Sequence, residues 1–458
     1  MAGTVKESSS RDTAPLTRLL TVVLHYDDAL TPPALTVPWS GAKVVFGRGE
    51  ADRYEGPRFT LKDPRVSTDH AELQDGDSGP VLRDLGSSNG SWINGVRVDG
   101  KATLATGDLI ELGRTVLVYR EAPASQATHV LSKTGATLGA LRTLNPELGD
   151  IYRRLAKIAA TTQPALIVGE TGTGKDVVAN ELHKTSGRAG PFVAVDCGAV
   201  PDSLFESTLF GHERGAFTGA TEPRVGEITR AQKGTLLLDE VGNLTPIAQA
   251  KLLRVLETSK VTPLGGTRTQ DLDVRWLAAT NRFLMQEGDD FRSDLLHRLA
   301  GFVVTLPALR RRREDLGLLI AHLLRGLGVT KASVAPPAGR ILMNHAFGGN
   351  IRQLRNVLQR AAHAGSTVVI DDEALGVLEQ APQPRPSAPA PAAGADDDDD
   401  RPERGFVPPK TELEAALVEA RGNVAEAARK LGTYPRQLYR WLSRSGVDVE
   451  RFRDTTKD

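Results

Sequence analysis

The amino-acid sequence predicts a multidomain chain: an N-terminal β-sandwich, a central α/β fold with a phosphate-binding loop (P-loop) and an α-helical lid, and a C-terminal all-α helix-turn-helix. Three observations carry this reading. From Thr17 to about Arg120, short β-type runs (LLTVVLHY, AKVVFGR, VLRDL, DLIELG, TVLVYR) are punctuated by Gly, Asn, Asp and Pro, the pattern of a sandwich. From about 138 to 307, helical stretches alternate with apolar runs such as ALIVG, FVAVD, GTLLLDEV and VRWLAAT, which predicts a parallel sheet covered on both faces. Past a Pro- and Ala-rich segment with five consecutive aspartates, Asp396 to Asp400, the chain turns basic.

Size and composition bound the rest. At 458 residues the chain is too long for one core. Its 40% hydrophobic and 25% charged residues exclude wholesale disorder, collagen and a coiled coil. The longest early apolar run, Leu19 to Leu24, falls far short of the ~18 residues of a membrane span, so no membrane association is expected. The single cysteine, Cys197, permits no internal disulfide and no cysteine zinc site, and a reducing, cytoplasmic location is expected. Lys and Arg balance Asp and Glu at 57 each, so nucleic-acid binding requires a local concentration of charge.

Taken in order, residues 1–16 lack periodicity and read as a flexible tail, and 17–121 as the β-sandwich. The small polar stretch 122–136 reads as a linker. Residues 137–307 form the α/β subdomain and 308–378 the helical lid. The segment 379–409 cannot pack a core and reads as a disordered linker. Residues 410–449 form the helix-turn-helix and 450–458 a tail.

GETGTGKD, residues 169–176, follows the apolar run ALIV and precedes a helical pattern, the strand-loop-helix context of a phosphate-binding loop. Gly169, Gly172 and Gly174 free backbone N–H groups to face phosphate oxygens across Glu170, Thr171 and Thr173, and Lys175 supplies a point charge for the β and γ phosphates. Downstream, GTLLLDEV ends a hydrophobic strand in paired carboxylates. That pattern places Asp239 near magnesium and Glu240 where it can polarise an attacking water. Asp176 stands where the general pattern has a Ser or Thr ligand for magnesium.

These residues resemble the AAA+ activators of sigma-54 RNA polymerase (bacterial enhancer-binding proteins), in which the position of Asp176 is usually Glu. The most specific element is GAFTGA: Gly215, Ala216, Phe217, Thr218, Gly219 and Ala220. In that family this loop engages sigma-54 and moves with the nucleotide state. Further matching stretches are PFVAVDCGAV, VRWLAATN, FRSDLLHRL, LPALRRRRED and GGNIRQL. The resemblance implies ATP and Mg²⁺ as cofactors, Asn281 as a first sensor of γ-phosphate state, and Arg352 as a second sensor from the lid. It also implies Arg292 and Arg298 as arginine fingers reaching the ATP of a neighbouring subunit, hence a homo-oligomer, from dimer to hexameric ring. Two departures stand out. Asp196 replaces the family Asn thought to restrain the catalytic glutamate, and a carboxylate there is expected to repel Glu240 or share a proton with it. AFGGN, residues 346–350, replaces Trp-Pro-Gly-Asn, with Phe347 expected to fill the aromatic site.

At the C-terminal end, Arg421, Arg429, Lys430, Arg436, Arg440 and Arg444 against Glu426 alone give a local charge of +5. Leu438 and Leu442 repeat at i and i+4, leaving Arg436, Gln437, Arg440 and Arg444 on the opposite face of a second helix spaced to enter a major groove. The segment resembles the Fis-type helix-turn-helix, implying double-stranded enhancer DNA as a partner.

VVFGRGE, VSTDHAEL and LRDLGSSNGSWINGVRV resemble the forkhead-associated (FHA) domain, a β-sandwich that binds phosphothreonine peptides through loops at one end. Arg48, Ser67 and Thr68, with Ser88 and Asn89, are the expected contacts, Arg48 and Ser67 reaching the phosphate by charge-assisted hydrogen bonds. His70 is expected to brace the loop from inside, and Asn94-Gly95 to form a tight hairpin turn. The expected function is ATP-dependent activation of sigma-54 polymerase under phosphothreonine control. The alternative is a phosphopeptide-binding AAA+ ATPase or scaffold acting on another partner.

Overall fold

The computed structural model describes residues 15–131, 135–281, 291–363, 365–379 and 410–420, together with Ala427, Leu431, Leu442 and Val447. Compact units span Met1–Arg385 and Pro386–Asp458. Among the described residues no helix is long and apolar enough to cross a membrane.

The first hundred or so residues fold as two six-stranded sheets. One sheet runs, edge to edge, Leu35–Trp39, Leu16–His25, Thr115–Pro123, Leu109–Leu112, Ser91–Ile93 and Val96–Arg97. The other runs Lys101–Thr103, Gly79–Asp84, Ala71–Gly76, Val44–Arg48, Arg58–Leu61 and Arg53–Glu55. Between them pack Leu20, Val22, Trp39, Phe46, Phe59, Leu73, Leu82, Ile110, Leu112, Leu117 and Tyr119, the inward half of each strand's alternation. Asn94 and Gly95, both at positive φ, close the hairpin between Ile93 and Val96.

The outward half of the first sheet is also apolar, which a solvent-facing sheet would not be. Val23, Leu24, Leu109, Val116 and Val118 are buried in one cluster with Leu309, Leu316, Ile320, Leu324, Leu342, Met343 and Phe347. The sandwich and the lid therefore share a core. A bulge between Val22 and Leu24 interrupts the alternation of the first strand, so that the consecutive residues Val23 and Leu24 both enter this cluster. Backbone bonds cross the same seam: Val334 N–H donates to Tyr26 O (2.7 Å) and Ala29 N–H to Ala332 O (2.9 Å). Gly317 lies against the Val23 carbonyl and Gly339 against the Tyr26 ring, so closely that a Cβ at either would overlap them. Buried Glu111 receives Arg340 through Nε and Nη2 at 2.7–3.1 Å, and the Arg340 guanidinium stacks 3.6 Å above the Trp92 ring.

This corrects the expectation of a linker at 122–136. The sheet strand continues to Pro123 and a short helix spans Ala124–Ala127. Ala122, Ala127 and Val130 bury with Leu19, and Ala136–Leu138 pairs antiparallel with Leu141–Thr143. The small side chains that suggested a spacer are the ones that fit this narrow seam.

The central sheet is parallel, in the order Phe192–Asp196, Thr235–Asp239, Arg275–Thr280, Ala165–Val168, Phe302–Thr305. Two apolar clusters cover its faces. Helix Pro146–Ala159 starts at Asn145, whose side chain accepts from Leu148 N–H with Pro at the first position. It ends on buried Arg275, whose guanidinium donates to the carbonyls of Ile158 and Ala159. The lid comprises helices Leu316–Gly326, Pro336–Asn344, Asn350–Ala362 and Asp372–Glu379, and also holds a parallel strand pair, Lys331–Val334 with Thr367–Ile370, which the helical reading of 308–378 did not include. In the C-terminal unit, helix Lys410–Glu419 buries Leu413, Ala416 and Leu417 in a cluster with Ala427, Leu442 and Val447.

Candidate active site

The strand Ala165–Val168 runs into the glycine-rich loop and then the helix Lys175–Ser186. Gly172 (φ +80°) and Gly174 (φ +95°) hold left-handed backbone that turns the loop. Gly174 sits at the N-cap without a side-chain cap, leaving the first helical N–H groups open to an anion. Lys175 is buried, and its Nζ donates to Gly169 O at 3.1 Å and lies 3.4 Å from Glu240 Oε1. Asp176 occupies the first turn of the same helix.

Parallel pairing brings the end of strand Thr235–Asp239 beside this loop through Arg275–Thr280. Burial pushes the Asp239 carboxyl above its ordinary value, although the Glu240 N–H and Lys175 pull it back. Glu240 itself adopts φ +49°, a strained conformation that aims its carboxylate at the loop. There Oε2 accepts from Asn281 N–H at 3.2 Å, while Asn281 Nδ2 donates to Thr171 Oγ1 at 3.2 Å. Lys175, Glu240, Asn281 and Thr171 thus form one connected set. Asp196 is the register partner of Asp239, and its carboxylate accepts from Gly198 N–H at 2.9 Å, so Glu240 is held by Lys175 and Asn281. Between these acids, burial and three neighbouring carboxylates, Asp196 first, push the Cys197 thiol far up, which keeps it protonated and unreactive.

The lid closes on the loop through contacts that sequence reasoning missed. Arg310 forms a two-pronged pair with Glu170 at 2.5 and 2.8 Å, and this pairing holds the Glu170 carboxyl below its usual range. Buried Arg312 donates to Thr173 O at 2.8 Å. Asn350, fully buried at φ +51°, gives its Nδ2 to Glu170 and to Thr171 O, both at 3.1 Å, and accepts from Leu309 N–H. Four consecutive arginines, Arg310 to Arg313, mark the turn in the sequence, but which of them is buried and what each one grips is set by the fold. Arg352 is exposed on the first turn of its helix, beside Gly172. Arg292 pairs with Asp294 on its own helix, and Arg298 is exposed one turn and a half further on. Among the described residues no hydrogen bond or ion pair joins either arginine to the chain's own phosphate loop. Phe347 fills the lid core and packs edge-on to His345 at 4.7 Å.

The GAFTGA segment forms the tip of a hairpin whose base is Gly211–His212 paired with Arg224–Val225. Gly215 and Gly219 hold positive φ, and Gly215 N–H donates to Ala220 O across the neck at 2.8 Å. Phe217 is 38% exposed, leaning edge-on against His212 at 5.0 Å, and Thr218 is exposed beside it. A second hairpin supports the tip from below: Glu213 N–H bonds Leu264 O, and Gly265 touches Ala216.

Residues 141–305 match the sigma-54 interaction domain, 310–390 the AAA+ ATPase lid domain, 44–113 the FHA domain, and 410–444 the Fis-family bacterial regulatory protein domain. The chain's central segment is thus similar to the sigma-54 interaction domain followed by its AAA+ lid. The chain is 44% identical over 254 residues to the regulatory protein AtoC of Escherichia coli (strain K12), covering 54% of this chain and 55% of AtoC. It is 38% identical over 317 residues to the anaerobic nitric oxide reductase transcription regulator NorR of Salmonella paratyphi B (strain ATCC BAA-1250 / SPB7), covering 66% of this chain and 62% of NorR. The Nif-specific regulatory protein of Azotobacter vinelandii is 40% identical over 302 residues, with coverage of 64% and 56%. The chain thus spans between half and two thirds of the length of these relatives.

At the sandwich end of the chain, Arg48, Thr68, Ser88 and Asn89 are exposed around half-buried Ser67. Arg48 N–H donates to Ser67 O (3.0 Å), Ser88 N–H to Ser67 Oγ (3.3 Å) and Asn89 Nδ2 to Arg65 O (2.7 Å), so the expected contacts gather on one rim. His70 lies beneath, accepting from Ser67 N–H at Nδ1 and donating from Nε2 to Gly90 O, and burial lowers its pKa and keeps it neutral. Two supports had no sequence signature. Arg58 reaches Asp69 and the Thr68 carbonyl. Asp84 gathers hydrogen bonds from Ser91, Ser87 and Gly86, which outweigh the effect of burial and hold its carboxyl low. Arg436, Gln437, Arg440 and Arg444, the residues expected to contact DNA, lie outside the described residues.

Proposed function

We propose that this chain activates sigma-54 RNA polymerase by hydrolysing ATP in a ring and remodelling the closed promoter complex. The observation that carries the reading is the pairing, in one unit, of the Lys175–Glu240–Asn281 set with a GAFTGA hairpin whose tip exposes Phe217 and Thr218. An apolar tip on a glycine-hinged neck is favoured where it meets a partner. The triphosphate lies along the loop against Lys175 and the open helix N-terminus. Glu240 leaves Lys175 when phosphate arrives and polarises the attacking water, and Asn281 reports the change. Asp239 at the strand end, with Asp176 on the first turn of the loop's helix, would hold Mg²⁺, which would neutralise charge developing on the transferred phosphoryl group. Arg292 and Arg298 face a neighbouring subunit's ATP. Arg48, Ser67, Thr68, Ser88 and Asn89 take a phosphothreonine peptide, and Arg436, Gln437, Arg440 and Arg444 take enhancer DNA.

The test is open-complex formation by sigma-54 polymerase on a supercoiled enhancer template, with ATP or a non-hydrolysable analogue. Wild type opens the promoter only with ATP, and Thr218→Ala hydrolyses ATP without opening it. Hydrolysis without opening by the wild type, with phosphothreonine peptide present, assigns the ATPase to another substrate.

A further inference from the structure

The turn Leu309–Asp315 has two working sides. On one, Arg310 grips Glu170 and Arg312 grips Thr173 O, so the turn sets the position of the phosphate loop. On the other, buried Glu314 and the Arg311 carbonyl receive a side chain from the β-sandwich. Arg120, on strand Thr115–Pro123, donates from Nε to Glu314 and from Nη2 to Arg311 O (3.1 Å). Asn145 Nδ2 bonds the same two acceptors at 3.3 and 3.2 Å.

The turn needs this support because its charge is concentrated and dry. Arg312 is 5% exposed and Glu314 1%. The Nε atoms of Arg312 and Arg313 have no hydrogen-bond partner. Among the described residues bonded to Glu314 through side chains, Arg120 is charged and Asn145 is a neutral amide. Removing Arg120 leaves a buried carboxylate with the amide alone, a state the turn relieves by moving toward water and carrying Arg310 and Arg312 with it.

We infer that Arg120 is a positioning residue for the nucleotide site: a β-sandwich side chain that fixes the arginine turn against the phosphate loop. The inference rests on the reading of Lys175 and its loop as the ATP site. It makes the sandwich a working part of the ATPase independently of any phosphopeptide.

The experiment titrates full-length chain with a fluorescent ATP analogue and measures steady-state hydrolysis and melting temperature. The variants are Arg120→Ala, Arg120→Lys, Glu314→Gln and Lys175→Ala, with Arg83→Ala on the opposite sheet as a surface control. Arg120→Ala is expected to weaken analogue binding and raise KM for ATP about tenfold, the scale of one charge-assisted hydrogen bond, with a smaller change in kcat. Arg120→Lys restores part of the affinity, and Arg83→Ala changes nothing. A lower melting temperature for Arg120→Ala with unchanged affinity and KM overturns the proposal and makes the residue a simple packing contact. Should Arg120→Ala fail to fold, Glu314→Gln decides: weakened binding supports the proposal, unchanged binding overturns it. Lys175→Ala binding the analogue as wild type does refutes the ATP-site reading itself, an outcome distinct from any result at Arg120.

Discussion

Glu240 occupies left-handed backbone that only a few non-glycine side chains tolerate, and its carboxylate spends that strain reaching Lys175 and Asn281. Glu240→Gln is therefore expected to keep ATP binding while lowering hydrolysis ~10²- to 10⁴-fold, the range of a lost general base; a binding titration beside a phosphate-release assay separates the two. Asp315 offers a sharper test of electrostatics. Burial pushes its carboxyl up to about 6, against hydrogen bonds from Leu144 N–H and Thr143 Oγ1 and the charge of Arg312. A carboxyl raised in the fold contributes stability that is complete below its unfolded pKa and is lost as pH rises through about 6. Asp315→Asn, whose Oδ1 still accepts from Leu144 N–H while its Nδ2 donates to Thr143 Oγ1, should gain on wild type by roughly 3 kcal/mol between pH 4 and 7, read from paired denaturant titrations. A pH-independent difference contradicts this assignment.

At the scale of elements, glycines decide how closely layers approach. Gly317, on helix Leu316–Gly326, meets the Val23 carbonyl so tightly that Gly317→Val should cost about 1–3 kcal/mol by overpacking the seam; chemical denaturation measures it. The GAFTGA hairpin behaves in the opposite way, since neither Gly215 nor Gly219 has a neighbour within reach of an added Cβ. Substitution there acts through backbone conformation: Gly219→Ala should leave stability within about 0.5 kcal/mol outside the strain at that one residue, yet impair open-complex formation. These elements differ in how far the sequence revealed them. The phosphate loop, the paired carboxylates and the hairpin were legible because each depends on residue types at short fixed spacing. The arginine turn was not, because Arg310 and Glu170 are 140 residues apart and only the fold makes them neighbours. The seam had a readable trace: LLTVVLH and TVLVYR are largely apolar on both faces, and a strand buried on both sides requires another layer. That the covering layer is the lid had no mark in the sequence.

For the whole molecule, the sandwich and the lid share one hydrophobic core, closed by the Arg340–Glu111 pair and the Trp92 stack. They should unfold together, giving one calorimetric transition where separately tethered domains give two. Deletion of residues 1–121 would bare Ile320, Leu324, Leu342 and Met343 to water. The expected product is an aggregation-prone protein with weakened nucleotide binding, checked by light scattering and analogue titration; a soluble fragment with wild-type ATP affinity would sever the sandwich from the ATPase. The shared core also limits how such a chain can be rebuilt. A sensory module joined by a tether is an exchangeable cassette, replaceable by recombination at its ends. Here each exchange would carry away half of a packed interface, so grafting this sandwich onto another ATPase, or giving this ATPase a different N-terminal domain, requires redesigning Val23, Tyr26, Val116 and Val118 together with Gly317, Ile320 and Gly339.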